Sequence, residues 1–339
     1  MIRLLTAAVL ALLLVGAAAC GGDDAGDGGT LTAYSGREEE IVEPLFAKFE
    51  EETGIEVDVR YGDSAELAAT LAEEGGNSPA DVFFAQDAGA LGAAAAEGRL
   101  AALPDDVVEL VDTKYADPAR KWVGTSGRVR VVAYSTAALS EEEVPDTIDA
   151  FTDPQWKGKI GIAPTNSSFQ AFVTALRLSK GEDAAREWLE GIKANDPKFY
   201  EGNSQIVEAV AAGEVDVGLV NHYYLGLLKE EQPDAPAANR FMRAGDPGGL
   251  VNVAGVGIVE GTDDEEAAQE FVEFLLSEEG QRFYPEEAEE AEYPLIDGVE
   301  GPEGLPALDE LKGPDIALGD LGPELERTLE LLNETGFTS

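Results

Sequence analysis

The chain runs to 339 residues with 23 Lys and Arg against 68 Asp and Glu, one His, one Cys and 44% hydrophobic residues. That apolar fraction supplies cores for one large or two ordinary domains, and a formal net charge of −45 leaves no basic face for nucleic acid. A single cysteine and a single histidine exclude an intramolecular disulfide, a thiolate zinc or iron–sulfur centre and a His-rich copper or zinc site, so any bound metal is held mainly by oxygen.

Met1-Ile2-Arg3 supplies one positive charge, Leu4 to Ala19 is an apolar and small-residue run, and Cys20 follows three alanines. This pattern reads as an export signal, too short for a comfortable membrane span and without a basic stop-transfer flank. It resembles a bacterial lipoprotein signal with Cys20 as the lipidated first residue, although Ala17 stands where such signals usually carry Leu. An ordinary cleaved signal with an accidental cysteine is the alternative. Residues 21–29, rich in Gly and Asp, read as a flexible acidic tether.

Thr30 to Tyr34 predicts a strand, and Glu38 to Thr53 carries apolar residues on a helical period up to Gly54. Ile55 to Tyr61 alternates as a half-buried strand, a helix follows from Ser64 to Leu71, and Asp81 to Phe84 is a further strand. Val129 to Ser135 reads as a strand entering a second unit. There the same grammar recurs, with a strand at Lys159 to Ile162, helices from about Phe169, from Ala184 to Lys193 and from Ser204 to Ala212, and a strand at Val215 to Val220. Val251 to Val259 reads as a strand, Phe271 to Leu276 as a helix face closed by Gly280, and Pro323 to Leu332 as a last helix. Alternating β and α elements predict largely parallel sheets, here in two α/β units.

Ligands of open α/β sheets collect beyond the carboxyl ends of the strands, so the strand exits carry the candidate chemistry. Val215 to Val220 runs into Asn221-His222-Tyr223-Tyr224, with Asn221 expected to cap the helix that follows. Two phenols in one helical turn can lean on one hard cation, or they can line a wall or fill a core. His222 reads as a surface or satisfied residue rather than a ligand. The exit Ala163-Pro164-Thr165-Asn166-Ser167-Ser168 offers hydroxyls, an amide and backbone N–H groups to an anion, or simple N-capping. Arg37, at the first exit, is placed either to hold an anion bidentately or to pair with one of Glu38 to Glu40.

Three segments together, Phe151 to Phe172, Gly213 to Tyr224 and Glu292 to Val299, resemble the ferric-iron-binding proteins of bacterial ABC importers. The resemblance extends over roughly residues 30–335, and the paired tyrosines are its most specific part. It implies an α/β, two-lobed type II periplasmic-binding-protein fold with the ligand cleft between lobes. The expected division is 30–130 with 247–305 for the first lobe and 131–246 with 306–336 for the second. It further implies Tyr223 and Tyr224 as metal ligands, with Tyr134 as a third. Anion-binding positions would be Arg37, Asn166, Ser167, Ser168, Asn203 and Asn221, with Gln86 as a first-lobe contact where some members carry a glutamate. The cargo so implied is Fe³⁺ with a carbonate or phosphate co-ligand. The implied partners are an ABC permease and its ATPase, for a monomer held outside the cytoplasm by the lipid on Cys20. The runner-up keeps the fold and changes the cargo to a small organic anion such as a phosphonate, which has no use for converging phenols. An enzyme is the third reading, disfavoured because no glycine-rich phosphate loop, paired catalytic acid or nucleophile elbow appears.

Overall fold

The computed structural model describes residues 29–288 and 291–338, so the expected signal, Cys20 and the expected tether up to residue 28 lie outside the described residues. Among the described residues there are ten strands: β1 Thr30–Ser35, β2 Glu56–Tyr61, β3 Val82–Ala85, β4 Val123–Ser135, β5 Ile160–Ile162, β6 Lys198–Phe199, β7 Val217–Asn221, β8 Ala237–Arg240, β9 Val251–Ile258 and β10 Tyr293–Pro294. The helices are α1 Glu39–Thr53, α2 Ser64–Glu74, α3 Ala88–Ala96, α4 Asp105–Val108, α5 Ser167–Lys180, α6 Glu182–Ala194, α7 Asn203–Ala211, α8 Tyr224–Glu231, α9 Glu265–Leu275, α10 Glu278–Glu286 and α11 Leu325–Glu334. None of the helices among the described residues is long and apolar enough to cross a membrane.

The strand order is β2-β1-β3-β9-β4-β7-β5-β6, with β8 and β10 added alongside β4. Parallel pairs β1/β2 and β1/β3 make the first unit, and parallel pairs β5/β6 and β5/β7 the second, as βαβ connections require. β4 joins them. Its residues 123–129 pair antiparallel with β9, and 130–134 pair antiparallel with β7, so one thirteen-residue strand serves both units. Aromatic contacts pack each side: Phe46 and Phe49 on Phe271 and Phe274 on Phe49 in the first, and Phe151 on Trp156 and Phe172 on Trp188 in the second.

Two readings of the sequence change. Gly280 does not close a helix: α9 stops at Leu275, and Ser277 caps α10 by accepting from the Gly280 N–H. Ala88–Ala96 forms a helix that the sequence pattern does not announce, because nine Ala, Gly and Leu residues show no amphipathic period. Its glycines serve contact instead. A Cβ on Gly92 would lie 1.9 Å from the Gly319 carbonyl oxygen, so the turn at Leu318–Leu321 packs on α3 backbone to backbone. That turn falls in the stretch expected to belong to the second lobe, yet it rests on a first-unit helix, while α11 beyond it is joined to α5 through the Thr174–Thr328 hydroxyl pair at 2.7 Å.

Candidate functional site

The carboxyl ends of β1, β2, β3, β5 and β7 open onto one cleft of about 790 Å³ between the two units. On the first-unit side three strand exits meet at Ser64. Its Oγ accepts from the Gln86 N–H at 2.9 Å, and a Cβ on Gly36 would fall 2.0 Å from that oxygen, which is why glycine stands there. Gln86 lines this wall. Asp63 and Asp87 also line it, but each spends a carboxylate oxygen capping a helix, α2 and α3 respectively. Glu38 and Glu97 add carboxylates on the same side, and Glu201 adds one opposite.

The second-unit wall is built around Arg130, a residue the candidate set lacks. Its Nη1 donates to Ser168 Oγ at 2.9 Å, to Asn203 Oδ1 at 3.3 Å and to Asn221 Oδ1 at 3.4 Å, and its Nη2 donates to the Leu219 carbonyl at 2.9 Å. Asn166 caps α5: its Oδ1 accepts from the Ser168 N–H at 3.0 Å, from Ser168 Oγ and from Asn203 Nδ2. Three of the six expected anion-binding residues, Ser168, Asn203 and Asn221, therefore converge on one guanidinium, Asn166 braces the first two of them, and Ser167 lines the cleft beside them. Burial pulls the Arg130 guanidinium down to about 10 while the charges of Tyr224 and Tyr223, lining the same cleft, pull it back up. The signal for it is in the sequence: Arg128 and Arg130 alternate with valines in a strand that reads as buried, and buried arginines need a purpose.

Tyr223 and Tyr224 both line the cleft, with ring centroids 4.4 Å apart and planes 32° from parallel. The turn that presents them is fixed by the His222 N–H donating to the Val129 carbonyl at 3.0 Å and by Asn239 Nδ2 donating to the His222 carbonyl at 2.7 Å. Asn221 does not cap α8 as expected. It ends β7, and the helix begins at Tyr224. His222 is the satisfied residue the sequence suggests: Nδ1 accepts from the Val129 N–H, Nε2 lies 3.3 Å from the Ala291 carbonyl, and burial lowers it to about 4, so it is neutral near pH 7.

Two expected ligands do not reach the cleft. Tyr134 shares a strand face with Arg130 but sits four residues further along β4, about 13 Å at ~3.3 Å per residue. It lies opposite Val217 and Ala238 within the second-unit core, where burial and then Glu141 raise its phenol. Arg37 turns away from the cleft into a buried ion cluster, its Nη1 donating to both Glu292 carboxylate oxygens at 3.0 and 3.2 Å. Among the described residues it pairs with none of Glu38 to Glu40, and one acid that it meets stands 255 residues later. Among the described residues, no group of three or more His, Cys, Asp or Glu side chains gathers as a metal cluster.

The family described as bacterial extracellular solute-binding protein matches residues 44–286. The chain is 35% identical over 311 residues to the major ferric iron-binding protein of Neisseria meningitidis serogroup B, covering 91% of this chain and 93% of that one. Among solved structures, it resembles iron-bound HitA from Pseudomonas aeruginosa at 35% identity and a TM-score of 0.83, covering 91% of this chain and 99% of that one. It also resembles a Trichodesmium protein in complex with iron and citrate, at 30% identity and a TM-score of 0.80, covering 91% of this chain and all of the other.

Proposed function

This chain belongs to the bacterial extracellular solute-binding protein family, and from that premise we propose that it captures ferric iron together with an anion and delivers it to an ABC permease. The observation that carries the reading is the convergence of Tyr223 and Tyr224 on the same cleft wall as Arg130 and its polar cradle. Two phenolates are hard, charged donors suited to a trivalent cation, and they cancel only part of its charge. An anion held by Arg130, Ser168 and the Asn166, Asn203 and Asn221 amides completes the shell at the place where its own charge is compensated. Tyr134 and Arg37 have no part in this assignment, and the cargo does not depend on a histidine.

Binding groups on both sides of the cleft meet one small ion only if the two units approach, so loading closes the molecule. The division into lobes at 30–130 with 247–305 and 131–246 with 306–336 belongs to this proposal, as do the permease with its ATPase, a monomeric state and a lipid anchor at Cys20 that keeps the protein outside the cytoplasm. Arg128 and Arg130 at the cleft also suit the competing reading, a free organic anion such as a phosphonate. Ferric phenolate colour separates the two. Titration with a ferric chelate should raise a visible charge-transfer band, and Tyr223→Phe or Tyr224→Phe, each removing one oxygen and keeping the ring, should cut affinity by at least ~100-fold, the scale of a lost metal contact. If both variants take up ferric iron with the parent's colour and affinity, the assignment is wrong and the organic-anion reading replaces it.

A further inference from the structure

The cradle around Arg130 belongs to the second unit, since its acceptors come from α5, α7 and β7. A different set of donors lines the cleft on the first-unit stretch of β4. Arg128 and Asn252 are direct cross-strand partners of β4 and β9, so their side chains stand together on one face of the sheet. Both are more than nine-tenths buried, at 5% and 8% exposure, and both line the cleft. The fold uses only part of each. Arg128 donates from Nη1 to Glu292 Oε1 at 3.2 Å, which anchors the guanidinium, while its Nε and Nη2 meet no acceptor among the described residues. Asn252 accepts the Val253 N–H on Oδ1 at 2.9 Å, and its Nδ2 donates to nothing among the described residues. None of these three nitrogens is sealed from solvent, so they open into the cleft that both residues line. Leu250 lines the cleft beside them, and its carbonyl accepts from the Arg130 N–H at 2.9 Å, which joins the two donor sets.

We propose that Arg128 and Asn252 form a second anion subsite, and that the anion carried with the metal is an organic polycarboxylate, with one carboxylate in the Arg130 cradle and another on Arg128 and Asn252. This rests on the ferric reading above and names its co-ligand. Half-used, largely buried donors cost stability unless a ligand supplies acceptors, and a carboxylate matches them. Its two oxygens suit the Nε–Nη2 edge of a guanidinium, with the Asn252 amide as a third donor. The two guanidiniums stand on the same face of β4 two residues apart, about 7 Å at ~3.3 Å per residue. A short carbon chain spans that distance, whereas a carbonate or phosphate seated among Ser168, Asn203 and Asn221 leaves the Arg128 donors unused. Because one donor set sits on each unit, such a ligand also ties the units together as the cleft closes.

Calorimetry on the iron-free protein tests this with citrate, a tricarboxylate, against inorganic phosphate and acetate. The parent should bind citrate about tenfold or more above either, the scale of one added charge-assisted contact. Asn252→Asp keeps the acceptor for the Val253 N–H and turns the free donor into an acceptor, while Arg128→Lys keeps a cation for Glu292 and loses the planar edge. Each should cut the ratio of citrate to phosphate affinity by about tenfold. Half-saturation with ferric citrate, read at the visible band, should move up by the same factor. A merely structural role would weaken phosphate and citrate alike and leave their ratio unchanged; that result overturns the proposal, as does a parent without preference for citrate or a variant that takes up ferric citrate like the parent. Should either variant fail to fold, the other decides. The ferric reading fails separately, by a parent that raises no band with any ferric chelate, and the iron-free titrations then still decide the subsite.

Discussion

Gly92→Ala is the substitution whose effect follows most directly from the geometry. In an exposed helix interior, alanine for glycine gains up to about 1 kcal/mol. Here the new methyl carbon would stand 1.9 Å from the Gly319 carbonyl oxygen, 2.7 Å from its carbon and 2.9 Å from its Cα. All three are backbone atoms, so no side chain can swing aside. Ordinary contact begins near 3.4 Å, so the turn at Leu318–Leu321 must retreat by about 1.5 Å. Overpacking of that kind costs typically ~1–3 kcal/mol, and a rigid backbone partner puts it at the upper end, for a net loss of about 2 kcal/mol after the helix gain. At a scale of ~2–4 °C per kcal/mol, or somewhat less for a longer chain, the melting temperature should drop by a few degrees. Because Leu321 and Gly322 line the cleft, ferric affinity should fall in the same variant. Calorimetry and an iron titration on the purified variant check both. A melting temperature equal to or above the parent's would mean that the strap does not rest on α3 in solution, and the account of those glycines would be wrong.

Gly226→Ala is the matched control. No atom outside its own surroundings lies within 4 Å of the added Cβ in α8, so the helix gain should stand alone and raise stability by about 0.5–1 kcal/mol, read from a urea midpoint with unchanged slope. Acid should destabilise the parent through Glu292. Burial alone would raise that carboxyl, but Arg37, Arg128 and the Ser126 hydroxyl outweigh it and hold it well below the usual carboxylate range. A depressed folded value means the group stabilises the fold above its unfolded value near ~4.3, and that contribution drains away as pH falls toward the folded one. Urea midpoints followed downward from pH 6 should therefore decline more steeply in the parent than in Arg37→Met/Glu292→Gln; parallel declines would remove Glu292 from the acid response.

What the sequence discloses and what it hides divide along contact distance. Period-two and period-3.6 patterns are local, so β1, α1, β2 and the β7–α8 junction with its two tyrosines are legible in short windows, and so is the polar run that opens α5. The fate of Arg37 is not local. A partner of it, Glu292, lies 255 residues away, and acidic residues at 38–40 offer a nearer and false solution. Tyr134 shows the other limit, because alternation fixes which face of β4 a side chain occupies but not where along the strand the cleft lies. Arg130 and Tyr134 have the same parity, and only the crossing of β4 from β9 to β7 at residues 129–130 puts the guanidinium at the cleft and the phenol in the core.

The same crossing explains why charge and binding share a location. A strand common to two units has both faces covered, and every residue of β4 is buried. Arginines there are stable only with fixed acceptors, and Glu292, Ser168, Asn203, Asn221 and the Leu219 carbonyl supply them from both sides. Where such acceptors are amides, hydroxyls and a carbonyl rather than a carboxylate, as around Arg130, the positive charge is solvated but not cancelled. An uncancelled buried cation beside two phenols is a place where an anion gains more than it does in water, and where a metal that carries an anion is retained better than one that arrives bare. The phenols and the Arg130 charge thus stand side by side because one buried strand serves both units.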